Sequence, residues 1–329
     1  MIHYIVRRAL MMIPVILAVS FVVYFLMDLA PGDIVTMLAP QDATEVEIEM
    51  MREEMGLNGP LIERYFRYIQ NLLKGDLGIS LSMKRPVMEV FLERFPATLK
   101  LAFWSIIVAM IISVPLGIAA ATHHRTWVDG ISMIASMIGV SMPAFWLGIL
   151  LILLFSLKLG WLPSGGSSGF SSIILPALTL GTAQAGNLTR ITRSSMLEVI
   201  RQDYLRTARA KGVSERHVIN KHALKNALIP IITILGSTFG NALGGAVVIE
   251  TVFSWPGVAR LTVTAINTRD MTLATGCIIM FTIFLNLTLL LVDIGYAYVD
   301  PRIKAQYSKW VILSDKRKME ILARRVKRI

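Results

Sequence analysis

The chain has 329 residues, 54% hydrophobic and 17% charged, and a net charge of +11 from 33 Lys and Arg against 22 Asp and Glu. Soluble domains carry about a quarter charged residues, so with a mean hydropathy of +0.62 this composition argues against one soluble core and for a polytopic membrane protein. The single cysteine, Cys277, excludes an internal disulfide framework and any cysteine-rich metal site.

Stretches free of Asp, Glu, Lys and Arg locate the spans: 9–27, 101–124, 130–157, 159–189, 226–249 and 271–292. A crossing helix needs about 20 apolar residues. Five of the six stretches meet that length or come within a residue of it. The fourth opens with Gly/Ser-rich turn chemistry over 160–172, leaving 173–189 as a short span extended inward past Arg190 by snorkelling. The predicted fold class is an all-α polytopic membrane protein with six transmembrane helices.

The first unit, 1–30, is the N-terminal span. Its apolar run exceeds a signal-peptide h-region and is followed by Asp28 and Pro31-Gly32-Asp33, not by a small-residue cleavage site. Residues 31–97 form a helical insert. Within it, 44–55 is acidic and helix-forming, and Gly56 to Pro60 breaks it. Residues 61–74 then place Leu61, Tyr65, Tyr68, Ile69 and Leu72 at helical spacing. That amphipathic helix lies on the membrane or the other spans, or else offers a docking surface to an external partner.

A five-helix core, 98–303, follows. His123 and His124 end its second span and, being adjacent, point in different directions on a helix. Ser141-Met142-Pro143 breaks the third span, because proline frees a carbonyl there. Polar residues collect in the spans: Ser141, Gln184, Asn187 and Thr189, then Thr238 and Asn241. They line a water-filled path or bond between helices. Gly236, Gly240 and Gly244 recur every four positions, as a packing face or as a sliding gate. Asp293 lies near the inner end of the last span, to pair with a basic residue or cap backbone. A Lys- and Arg-rich tail, 304–329, suits anionic lipid.

Charge sets the orientation. Segments 1–8, 123–129, 190–225 and 300–329 together hold 22 of the 33 basic residues, whereas 31–97 holds 7 basic and 11 acidic ones. The positive-inside rule then places both termini in the cytoplasm and the insert outside. The net charge is mainly topology rather than a nucleic-acid footprint.

The loop between the fourth and fifth spans, 194–227, reads as a helix–turn–helix elbow. Residues 196–210 lack Gly and Pro, and Met196, Val199, Ile200, Tyr204 and Ala208 form the less polar face. Gly212 is placed to end this helix in a left-handed conformation. Ser214 then N-caps a second helix, with Glu215 complementing its positive end, and Pro230 opens the fifth span. No G-x-x-x-x-G-K-[ST], H-E-x-x-H or G-x-G-x-x-G after a strand occurs, so no enzyme constellation is legible.

Thr207-Ala208-Arg209-Ala210-Lys211-Gly212, followed by His222 to Pro230, resembles the cytoplasmic coupling loop of ABC importer permeases, closest to the first permease of the dipeptide/oligopeptide/nickel group. Arg206-Thr207 stand where the wider family has Glu-Ala, a departure typical of that subgroup. Pro31-Gly32-Asp33, Gly75-Asp76-Leu77-Gly78, the stretches 94–99, 160–163, 175–179 and 250–257, and Asp300-Pro301-Arg302 resemble the family in order, covering about Tyr4 to Ile303.

The resemblance implies a type I importer permease in a prokaryotic inner or plasma membrane, not itself an enzyme. It would form half of a path for di- or oligopeptides. Expected partners are a second homologous permease, two cytoplasmic ABC ATPase subunits that bind ATP and Mg, and an extracytoplasmic solute-binding protein. No cofactor is expected in this chain. The ATPase-coupling residues would be Tyr204, Arg206, Thr207, Ala208, Arg209, Ala210, Lys211, Gly212, Ser214 and Glu215. Nickel chelate is the alternative cargo. A self-sufficient secondary transporter or channel is the alternative class, but it would show internal repeats or midspan charges.

Overall fold

The computed structural model describes residues 2–29, 35, 39–40, 43–54 and 58–299, leaving out the side chains at 2–5, 7, 8, 229, 233, 293 and 295–299. The Pro31-Gly32-Asp33 motif, the Asp293 side chain, Asp300-Pro301-Arg302 and the tail 304–329 therefore lie outside the description.

The chain is a helical bundle. Helix α1 (Ile2–Asp28) leads to α2 (Glu45–Glu54) and α3 (Leu61–Leu73). Thr44 caps α2: its amide donates to Glu47 Oε2 at 2.7 Å, and its hydroxyl accepts the Glu47 amide at 3.4 Å. The face expected for the next helix is the one it buries, since Leu61, Tyr68, Ile69 and Leu72 are partly covered and Tyr65 fully. Tyr65 packs on α1, its hydroxyl 2.8 Å from Ser20 Oγ and 3.0 Å from the Leu17 carbonyl. Arg64 pairs with Asp28 at 2.7 Å.

A two-stranded antiparallel ribbon, β1 (Ile79–Ser80) with β2 (Arg85–Pro86), joins this insert to α4 (Val87–Thr122). The second span was expected from 101 and the core from 98, but the helix runs unbroken across both points. Pro86 ends the ribbon, and Val87, Val90 and Phe91 bury themselves against Leu273, Ala274 and Cys277. Pro96 and Pro115 sit inside α4; neighbouring helices make such prolines tolerable in membrane helices.

Helix α5 (Trp127–Ser141) and α6 (Ala144–Leu151) meet at 98°, and α6 continues as a π-helical stretch, Ile152–Lys158. The break falls where the sequence places it. Met142 is extended (ψ 124) and Pro143 has no amide to continue the ladder. The third span is thus not one straight crossing. After the Gly/Ser turn comes α7 (Ser171–Ile200), the elbow, then α10 (Leu224–Val252), α11 (Val258–Asn267) and α12 (Met271–Val299).

Among the described residues four helices are long and apolar enough to cross a membrane, and a fifth if the bent pair counts as one crossing. The remaining predicted crossing, the fourth in chain order, is α7. It is helical throughout 173–189, but its Gly, Thr, Gln and Asn make it less apolar, and it is sheathed by α4, α5 and α10. Its core contacts are Ile173, Leu175 and Leu180 against Leu101, Leu243 and Ile249.

Asp270, just before α12, ties the ribbon to that helix. It accepts Ser80 Oγ at 2.6 Å, the Ser82 amide at 2.9 Å and Ser82 Oγ at 2.8 Å, and it caps Leu273 N at 3.0 Å. Burial pushes its carboxyl up, but these hydrogen bonds outweigh burial and hold it below the usual range.

Candidate functional site

The elbow starts with a break that sequence periodicity did not foresee. One helix over 196–210 was expected. Instead α7 ends at Ile200, Gln202 is extended (ψ 146), and a separate α8 covers Asp203–Ala210. The break resets the helical phase. Met196 is buried and Val199, Ile200 and Ala208 are half-buried as expected, but Leu205, not Tyr204, is the fully buried residue of α8. Leu205 joins Met196, Ala121, Val218 and Ile219 in a small apolar cluster. Tyr204 faces outward, its hydroxyl accepting Asn226 Nδ2 at 2.7 Å.

Gly212 does take the left-handed conformation, at φ +77. The Gly212 amide donates to the Arg209 carbonyl at 2.9 Å and the Val213 amide to Ala208 at 3.3 Å. This is the Schellman pattern that satisfies the last carbonyls of a helix. Ser214 stands at the next N-cap position, but its carbonyl, not its hydroxyl, accepts His217 N and Val218 N.

Glu215 reaches back across the turn to Arg209, at 3.0 Å to Nε and 2.8 Å to Nη2. Those hydrogen bonds lower the Glu215 carboxyl from its ordinary value. So partly exposed a pair adds little stability, and the turn angle rests mainly on Gly212. The expected second helix is one α-turn, α9 (Glu215–His217), followed by a π-helical stretch, Val218–Ala223. That stretch runs straight into α10, so Pro230 lies inside the fifth span instead of opening it. Arg206, Thr207, Ala210 and Lys211 form an exposed, basic outer face.

The candidate path residues stand in different surroundings. Ser141 borders an open cleft of about 490 Å³ at the α5–α6 bend with Ile138, Met142, Pro143 and Trp146. Thr189 and Thr238 are buried and donate to their own helix, to Ala185 at 2.8 Å and Ile234 at 2.9 Å. Gln184 is half-buried, while Asn187 and Asn241 are exposed.

The glycine face of α10 is not continuous. Gly236 is buried, but a Cβ at Gly240 would meet only the end of Leu289, at 2.8 Å, and at Gly244 it would meet nothing within 4 Å. Within the spans, close backbone approaches lie on α7. A Cβ at Gly181 would stand 2.5 Å from the Ser105 carbonyl oxygen, and one at Gly186 would fall on that of Ser136. Ala177, Gly181 and Ala185 recur every four residues and are all buried. The same small-residue spacing that drew attention to α10 was therefore legible on α7.

Two polar assemblies had no local signal. Glu250, buried near the C-terminal end of α10, accepts Thr98 Oγ1 at 2.7 Å and the Arg260 amide at 2.9 Å. Thr98 in turn accepts the Val258 amide at 2.9 Å. A carboxylate thus caps α11 and ties it to α4. At the turn between α4 and α5, Asp129 and His124 meet Arg193 of α7, which is 64 residues beyond Asp129.

The comparisons with known proteins agree with this architecture. The family model for the binding-protein-dependent transport system inner membrane component matches residues 113–305, and the companion model for the N-terminal part of such membrane components matches residues 1–102. The glutathione transport system permease protein GsiC of Escherichia coli O6:H1 is 42% identical over 304 residues, covering 92% of this chain and 99% of that protein. GsiC of Salmonella paratyphi A matches to the same extent, at 42% over 304 residues. Among solved structures, the inward-facing MetNI methionine ABC transporter aligns with a TM-score of 0.57 at 18% identity, over 68% of this chain and 100% of that one. At that identity the likeness bears on the fold alone.

Proposed function

The chain belongs to the family of binding-protein-dependent ABC importer inner-membrane permeases, and from that membership we propose that it forms half of an ATP-driven path for di- and oligopeptides. An external solute-binding protein delivers the cargo, and a second homologous permease completes the path. Two cytoplasmic ATPase subunits, which hold ATP and Mg, dock on the elbow at 203–215. The observation that carries the peptide reading is the 42% identity, over nearly the whole chain, to permeases of glutathione. Glutathione is itself a tripeptide. The docking reading is supported by the elbow's left-handed turn and by its exposed face of Arg206, Thr207, Ala210 and Lys211.

The cargo is tested by reconstituting the chain with its partner permease, ATPases and binding protein in vesicles. ATP-dependent uptake of glutathione and other short peptides is the expected result. Uptake of nickel chelates without peptides would replace the cargo, and uptake by this chain alone without ATP would replace the class.

The orientation belongs to the same proposal: both termini and the elbow inside, the insert and the 160–172 turn outside. Reporter fusions after Gly75 and Gly165 should read outside, and one after Gly212 inside. A cytoplasmic reading at Gly75 would overturn it.

A further inference from the structure

The inner ends of α4, α5 and α7 meet at a polar cluster that the elbow itself does not use. Arg193, on α7 two turns before the elbow, donates from Nε to Asp129 Oδ1 at 2.7 Å and from Nη2 to Asp129 Oδ2 at 2.7 Å. This two-point fork fixes direction as well as distance. Asp129 Oδ2 also accepts the Arg125 amide at 3.1 Å, which closes the α4–α5 turn. His124 Nδ1 lies 3.1 Å from that same oxygen and 3.1 Å from Arg193 Nη2.

The Asp129 side chain is 9% exposed and that of Arg193 24%. Other ion pairs nearby are looser or wetter, such as Arg206–Asp203 at 3.9 Å with side chains 79% and 98% exposed. A covered pair holds its partners firmly, because separating them strands a charge away from water.

A second attachment lies farther along the same two helices. The Gly186 position on α7 leaves no room for a Cβ against the Ser136 carbonyl and Val140 of α5, and a Cβ at Gly139 of α5 would stand 3.3 Å from the Thr182 carbonyl of α7. Backbones this close cannot slide past one another without a clash. Two such attachments resist the sliding of α5 against α7. The outer end of α5 is the 98° break at Met142–Pro143, beside the cleft that Ser141 borders. The inner end of α7 is the elbow.

We propose that Asp129 and Arg193 are positioning residues for transport: they lock α5 to α7, so that displacement of the elbow turns the α5–α6 bend beside the Ser141 cleft. The inference rests on the elbow being the ATPase docking site and names the route the stroke takes from there.

The test uses the whole reconstituted complex and reads ATP hydrolysed per solute transported, with assembly checked by co-purification. Asp129→Asn keeps an acceptor for the Arg125 amide and so preserves the turn. Arg193→Gln removes the charge, and Arg193→Lys keeps the charge but not the fork. Asp129→Asn and Arg193→Gln should assemble and retain solute-stimulated hydrolysis, because the elbow is untouched, while ATP consumed per solute rises about fivefold or more. Arg193→Lys should fall between. A wild-type ratio in both neutral variants overturns the proposal. So does a joint loss of assembly, hydrolysis and transport, which would mark the pair as structural only. Gly212→Val measured alongside separates the two layers: wild-type behaviour there removes the elbow reading, whatever happens at Asp129.

Discussion

Replacing Gly212 with valine is expected to abolish the stimulation of ATP hydrolysis by loaded binding protein, while the chain still inserts. The position is open, with nothing within 4 Å of an added Cβ, so space is not the constraint. The backbone is. At φ +77 an ordinary L residue is strained by about 1–2 kcal/mol, and a β-branched residue by more. The chain relieves that strain by moving φ to negative values, which breaks the bonds from Gly212 to Arg209 and from Val213 to Ala208. The two arms then no longer present Arg206, Ala210 and Lys211 at one angle. Gly212→Asn is the control, since asparagine tolerates the left-handed region and should keep most of the stimulation. Equal hydrolysis in the valine, asparagine and wild-type complexes would mean that the elbow merely connects two helices.

The second large effect is expected from Gly257→Ala, and for the opposite reason. Gly257 has an ordinary backbone (φ −94, ψ 178), but its added Cβ would fall on the Glu250 carboxylate. The carboxylate must then leave the Thr98 hydroxyl and the Arg260 amide, both of which it satisfies in a buried site. Each buried group left without its partner costs about 1–3 kcal/mol. The loss uncouples α11 from α4 and α10. A clearly lowered melting temperature of the purified complex and loss of uptake should follow. Gly244→Ala, in open space on α10, should leave both unchanged. If Gly257→Ala melts like Gly244→Ala, the Glu250 assembly is dispensable.

The features legible in the sequence are those whose cause is local. Gaps between charges mark where lipid can surround a helix, and each of the six holds helix, the third broken at Met142–Pro143 and the fourth helical only from Ser171. The buried face of α3 follows from spacing, the turn at 160–172 from its glycines, and the reversal at Gly212 from the one residue type that adopts φ +77 without strain. Pro143 announced a break in α5–α6, because a missing amide interrupts a helix whatever surrounds it.

Features that depend on partners distant in the chain were decided only by the folded bundle. The 98° at Met142–Pro143 is one, since a proline ends a helix but does not aim the next. The break at Gln202 is another. No Gly or Pro signals it there, and the buried residue of α8 is Leu205, packed on Ala121, Met196, Val218 and Ile219. The small-residue spacing occurs on both α7 and α10, and only packing shows that α7 is where backbones touch. Nothing local in the sequence marks Glu250 or Asp129. Their roles rest on Thr98, 152 residues away, and Arg193, 64 away. Local propensity acts along a few turns of chain, whereas a buried carboxylate is stable only where the fold delivers its donors.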